Sequence, residues 1–126
     1  MYNIFNITNT AYMFAYSNMT SLNTNGWEYL KTNDCSSMFY NCYNLVDINC
    51  SNWKFINIDP LYLSFMFGYC NNLSDNSINS IIDMIINISF NFNNSFNIYS
   101  IFMGSNITND RYQNRWTELD ALNIKY

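Results

Sequence analysis

The stretch from Ser37 to Trp53, SMFYNCYNLVDINCSNW, is one full turn of a repeat. An earlier copy, YMFAYSNMTSLNTNGW, runs from Tyr12 to Trp27. A later one, FMFGYCNNLSDNSI, runs from Phe65 to Ile78, and a worn copy, SIFMGSNIT, from Ser100 to Thr108. Set against each other, Met13-Phe14, Met38-Phe39, Met66-Phe67 and Ile101-Phe102 coincide. Ser17, Cys42, Cys70 and Ser105 follow in one phase. Asn18, Asn44, Asn72 and Asn106 then each precede an apolar residue. In the first two copies the match continues to Trp27 and Trp53.

A period of roughly 25 to 30 residues is the range of stacked repeat architectures. The expectation is a single domain over residues 1–126: an α/β solenoid, a short stack with parallel short strands, closed by C-terminal helices. The repeats fall near 10–27, 36–53, 63–78 and 99–108. The inward Phe residues and the phase-sharing Cys42 and Cys70 should form columns, with the phase-locked Asn marking a turn, since Asn tolerates left-handed backbone. Short strands are expected at Met19–Leu22 and Leu45–Ile48. Met1 to Asn9 should cover the open end of the stack.

After Leu73 the pattern changes. Ser74 and Asp75 suit a helix start. Ile78, Ile81, Ile82, Ile85 and Ile86 follow at helical spacing. One helix is expected near 75–88 and a second near 109–122, with Thr108 as its cap and Tyr112, Trp116, Leu119 and Leu122 on one face. Arg111, Arg115 and Glu118 form a solvated face. Asn91 to Asn97 reads as a loop, and Asn123 to Tyr126 as a tail or terminal strand.

Composition narrows the function classes. The chain is 49% hydrophobic and 19% aromatic, which argues against disorder. About a fifth of it is Asn, so no single Asn or N-x-S/T triplet carries weight alone. Net charge is −4, and the five basic residues do not cluster, which disfavours nucleic acid and anionic membranes as partners. MYNIFNITNTAYMF has neither the basic residue nor the apolar run of a signal peptide. The window Ile78 to Phe92 is too short and polar to cross a bilayer. The expected location is cytoplasmic or virion-associated.

Cys35, Cys42, Cys50 and Cys70 form no C-x-x-C pair, and there is no His, so the common zinc spacings are missing. Buried reduced thiols are expected. Without His, no Ser-His or Cys-His dyad forms. Asp47 and Asp75 lie a repeat apart in comparable stretches and are the candidate carboxylate pair, though two exposed acids near strand ends are the plainer expectation. Gly26, Gly68 and Gly104 are isolated, so there is no phosphate loop. The chain is expected not to be an enzyme and to need no cofactor or metal.

The residues MFYNCYNLVDINCSNW and FMFGYCNNL resemble the BspA-like class of bacterial leucine-rich repeats, with their Met-Phe-x-x-Cys cores. The resemblance covers about two-thirds of the chain. The family's closing Gly-Trp is replaced here by Leu122-Asn123. The resemblance implies a solenoid that works by binding, often as a surface adhesin or virion-associated protein, and it implies no shared catalytic residues.

The expected function is therefore a non-catalytic protein-binding module of bacterial or phage origin, used in host interaction or adhesion. The alternatives are a small phage-encoded intracellular inhibitor of a host defence enzyme and a structural virion component. The partner is expected to be a protein, one of the host. On the strand face the candidate contact residues are Ser21, Asn23, Asp47 and Asn49. Beside the Met-Phe pairs they are Tyr16, Tyr40, Tyr43 and Tyr69, since tyrosines give large contact area with few rotors.

Overall fold

The computed structural model describes residues 6–56, 58–90, 96–98, 100–105 and 112–126. The expected start of the second helix at Thr108 and most of the loop near 91–97 lie outside these residues. Element order is β1 (Tyr29–Leu30), β2 (Lys54–Phe55), a 3-10 turn (Pro60–Leu63), α1 (Asp75–Ser89), β3 (Phe96–Asn97), α2 (Gln113–Ala121) and β4 (Ile124–Lys125).

No solenoid of repeated strands forms, and the leucine-rich-repeat architecture is corrected on that finding. Among the described residues, β1 pairs with β2 and β3 with β4, both parallel and two residues long. Two isolated parallel bridges, Asn9–Asp34 and Ser21–Asp47, complete the pairing. The stretches read as strands at Met19–Leu22 and Leu45–Ile48 thus shrink to one bridge.

The cause lies in side chains that compete for the main chain. Asn9 Oδ1 accepts from the N–H of Ala11 at 3.0 Å, Asn23 Oδ1 from Asn25 at 2.9 Å and Asp34 Oδ1 from Ser36 at 3.0 Å. Asn49 Oδ1 accepts from Ser51 at 3.0 Å and Asp59 Oδ1 from Leu61 at 3.0 Å. Each contact bends the chain two residues on and ends the extended run before a ladder can grow.

The turns carry the register instead. Phe14 N–H donates to Met38 O, Phe39 N–H to Met66 O and Phe67 N–H to Ile101 O, each at 2.9 Å. Among the described residues, eight non-glycine positions have positive φ, and they include Tyr12 and Tyr16, Ser37 and Asn41, Phe65 and Tyr69, and Ser100. With Gly104 they flank each Met-Phe or Ile-Phe pair in the same two positions. The residues expected to be left-handed, Asn18, Asn44 and Asn72, are not among them. Bulky residues are held in αL by the packing around them, because their own preference is for φ below zero.

That packing is a run of aromatic rings. Phe14 stacks on Phe39 at 5.4 Å and Phe39 on Phe67 at 5.1 Å, each at an interplanar angle of 8°. Phe102 continues the run at 6.4 Å and meets Trp116 of α2 edge-on at 6.0 Å. Trp27 and Trp53 lie 5.3 Å apart beside it, both buried. The thiols bind across turns as well: Cys42 Sγ donates to Phe14 O and Cys70 Sγ to Phe39 O, both at 3.1 Å.

Helix α1 is capped by Ser74, whose Oγ accepts from Ser77 N–H at 3.2 Å, with Asp75 in the first turn. Its buried face carries Ile78, Ile81, Ile82, Met84, Ile85 and Ile88, and also Ser77 and Ser80. Those two serines occupy the place of a third strand. Ser77 Oγ accepts from Ile48 N–H at 2.9 Å and donates to Val46 O at 2.7 Å. Ser80 Oγ accepts from Cys50 N–H at 3.1 Å. The edge of residues 46–50 is therefore closed by hydroxyls on a helix.

Helix α2 buries Trp116 and Leu119, while Leu122 caps its end and is exposed, contrary to the expected four-residue face. Arg115 does not sit on a solvated face. Its guanidinium lies 2.5 Å from Asp83 Oδ1 and 3.3 Å from Asn79 Oδ1, which ties α2 to α1, and 2.6 Å from Glu118 Oε2 within α2.

Candidate functional site

The bridge between Ser21 and Asp47 sets two extended segments side by side. Side chains alternate along such segments, so Ser21 and Asn23 face outward together with Asp47 and Asn49, while Leu22 and Ile48 turn toward the core. α1 stands along the far edge and raises a wall. The result is a groove of about 640 Å³ lined by both segments and by Asn76, Asn79 and Asp83 of α1. Asn49 and Thr24 also line a smaller recess of about 90 Å³, which reaches Glu28, Asn52 and Trp53.

All four candidate residues of the strand face thus come together in one concavity. α1 supplies residues that were not singled out. Positions 76, 79 and 83 follow helical spacing on the side away from the isoleucines, and that periodicity was the available signal. Glu28 carried no such signal.

Electrostatically the groove is one-sided. Asp47 and Asp83 line it, Glu28 lines the recess, and no Lys or Arg lines either. Arg115 balances the charge of Asp83. Asp47 and Glu28 make no ion pair among the described residues. Trp53 is buried, and its indole N–H finds no acceptor there.

None of the four candidate tyrosines lines the groove. Tyr16 meets Tyr40 edge-on at 5.9 Å, and Tyr40 meets Tyr69 likewise at 5.5 Å. Loss of water and the neighbouring Tyr69, Tyr16, Tyr43 and Tyr12 raise the Tyr40 hydroxyl above its ordinary value. Tyr12 and Tyr16 are well exposed, and the Tyr43 carbonyl accepts from Asn72 Nδ2 at 2.6 Å. Tyr12 belongs with this set and was missed, although it precedes Met13 as Ser37 precedes Met38.

Two glycines accommodate the rings. A Cβ on Gly68 would lie 2.8 Å from Tyr40 Cδ2, and one on Gly104 would fall inside the Tyr69 ring's van der Waals surface.

Asp47 and Asp75 serve different places. Asp47 faces the groove, whereas Asp75 is absent from its lining and accepts from the Tyr112 hydroxyl. The four thiols are buried and unpaired in disulfides. Burial pushes Cys70 up to about 12 and raises Cys35, Cys42 and Cys50 as well. Such thiols are poor nucleophiles at neutral pH. Among the described residues no cluster of three or more Cys, Asp or Glu is placed to hold a metal, and no helix is long and apolar enough to cross a membrane.

No protein-family model, curated protein or solved structure matches the chain.

Proposed function

We propose that the chain is a non-catalytic binding protein, and that the groove over Ser21, Asn23, Asp47 and Asn49 receives a protein partner. One observation carries this reading. Four outward polar side chains from two distant segments converge on a concave surface, where Asn23 and Asn49 spend their Oδ1 atoms on local turns and keep their Nδ2 groups for a ligand. Binding surfaces place a few convergent polar groups on a rigid frame, and here the ring stack and α1 provide that frame. The tyrosine row offers a second contact surface of the kind found in protein recognition.

The carboxylates of the groove and the net charge of −4 favour a more specific version, in which the chain blocks a basic surface of a host enzyme.

The test is affinity capture from a lysate of the native host, with wild-type protein beside an Asn49→Arg variant that fills the groove. The expected result is a partner retained by the wild type and lost by the variant. Equal retention by both, or no partner at all, overturns the reading.

A further inference from the structure

The segment that forms the groove's outer rim has a main-chain edge left open. On its inner side, Leu22 N–H donates to Asp47 O at 3.1 Å, and Thr20 O accepts from Val46 N–H at 2.9 Å. On its outer side, the N–H and C=O groups of Ser21 and Asn23 make no hydrogen bond among the described residues. The opposite edge of the pair differs, because Ser77 and Ser80 occupy it. An open edge of this kind is a template for an added extended segment.

What such a segment carries is set by charge. Beside the open edge lie Asp47 and Glu28, exposed and without an ion pair among the described residues. No cation lines the groove or the recess. An acidic strand there would be repelled, and an apolar one would cover Ser21, Asn23 and Asn49 without serving them. Neighbouring extended segments lie about 4.8 Å apart, so an added one sits roughly 10 Å from the segment that holds Asp47. A long basic side chain and an aspartate span that distance between them.

We infer that an extended segment of the partner, bearing lysine or arginine, docks along residues 20–25. Its main chain pairs with Ser21 and Asn23, and its cationic side chains cross the groove to Asp47 and Glu28. This inference rests on the reading of the chain as a protein-binding module. The main chain supplies affinity, and the two carboxylates select for charge and orientation.

The experiment is a titration of isotope-labelled full-length protein with three synthetic peptides of equal length: alternating Lys-Thr, Glu-Thr and Ser-Thr. Amide resonances report the site, and sedimentation reports self-association. The Lys-Thr peptide is expected to shift the Ser21 and Asn23 amides and to bind less tightly as salt rises. Asp47→Lys and Glu28→Lys should each weaken it by about tenfold or more, with the fold unchanged because both side chains are exposed.

Equal binding of all three peptides, shifts confined to other residues, or affinity unchanged in Asp47→Lys would overturn the inference. So would a dimer closed edge to edge through Ser21. Capture of a partner from lysate without any Lys-Thr binding leaves the proposed function standing and removes only the basic segment. Lys-Thr binding with no captured partner does the reverse.

Discussion

Ser77 takes the main-chain N–H of Ile48 on its hydroxyl at 2.9 Å, so a helix side chain stands where a neighbouring strand would. The same hydroxyl donates to Val46 O. Ser77→Ala removes both bonds and leaves the Ile48 N–H buried without an acceptor, a loss of about 1–3 kcal/mol. Ser80→Ala should behave alike through Cys50. Urea denaturation measures both. A loss of less than about 0.5 kcal/mol in each would show that the edge does not depend on them.

Phe39 sits between Phe14 and Phe67 and is fully buried. Phe39→Ala should cost about 3–5 kcal/mol, the range for emptying an aromatic site in a core. Phe14 stacks on the other side of this run from Phe67 and is only half-buried. Its Ala variant should lose clearly less. Equal losses in the two denaturation curves would contradict the difference in burial between the two rings.

Gly104 has a positive φ and faces the Tyr69 ring. Gly104→Ala should destabilise by about 1–3 kcal/mol, from strain and from overlap with the ring. Tyr69→Ala in the same chain should recover the overlap part and leave the strain. The coupling is read from a double-mutant cycle, and additive effects would mean that ring and glycine do not meet.

The thiols make stability depend on pH on the alkaline side. The Cys70 value is raised from 9.0 to about 12 by burial. Its contribution is therefore complete below pH 9, where both states hold the proton. Above that the unfolded state ionises first, and stability falls by about 1.4 kcal/mol per pH unit for this one thiol. The fall ends near pH 12, where the folded state ionises too. Urea midpoints taken from neutral pH upward should show it, and Cys70→Ala should lessen the slope by this one thiol's share, with Cys35, Cys42 and Cys50 still contributing theirs. A midpoint that holds constant beyond pH 9 would refute the assignment. Thiol reagents at neutral pH should label the native protein slowly and the unfolded protein at once.

The internal alignment of Met-Phe pairs was legible because side chains of one type must meet in a shared core, and Phe14, Phe39 and Phe67 do meet. The isoleucine spacing was legible for the same reason, as a helical face. The expected strands were not. The sequence of apolar and polar residues around Leu22 and Ile48 fits an extended segment, but Asn23 and Asn49 bend it locally. An Asn-rich composition hides which amides do this. The left-handed sites at Tyr12, Tyr16 and Phe65 were also invisible, because packing imposes them against local preference. Of the groove, the residues on the two segments were legible. Its helical wall was legible only as a polar helix face, because Ser77 and Ser80, which dock that face on the segment, read as ordinary polar positions on an amphipathic helix.

The hydroxyls of α1 give the molecule a direction. Among the described residues, one flank of the Ser21–Asp47 pair is sealed and the other is open. A protein with two open flanks can join its neighbours head to tail without limit, whereas one with a single open flank can at most meet a twin face to face. The seal on one side thus works against runaway fibre growth through this pair without a charged guard residue on the edge itself.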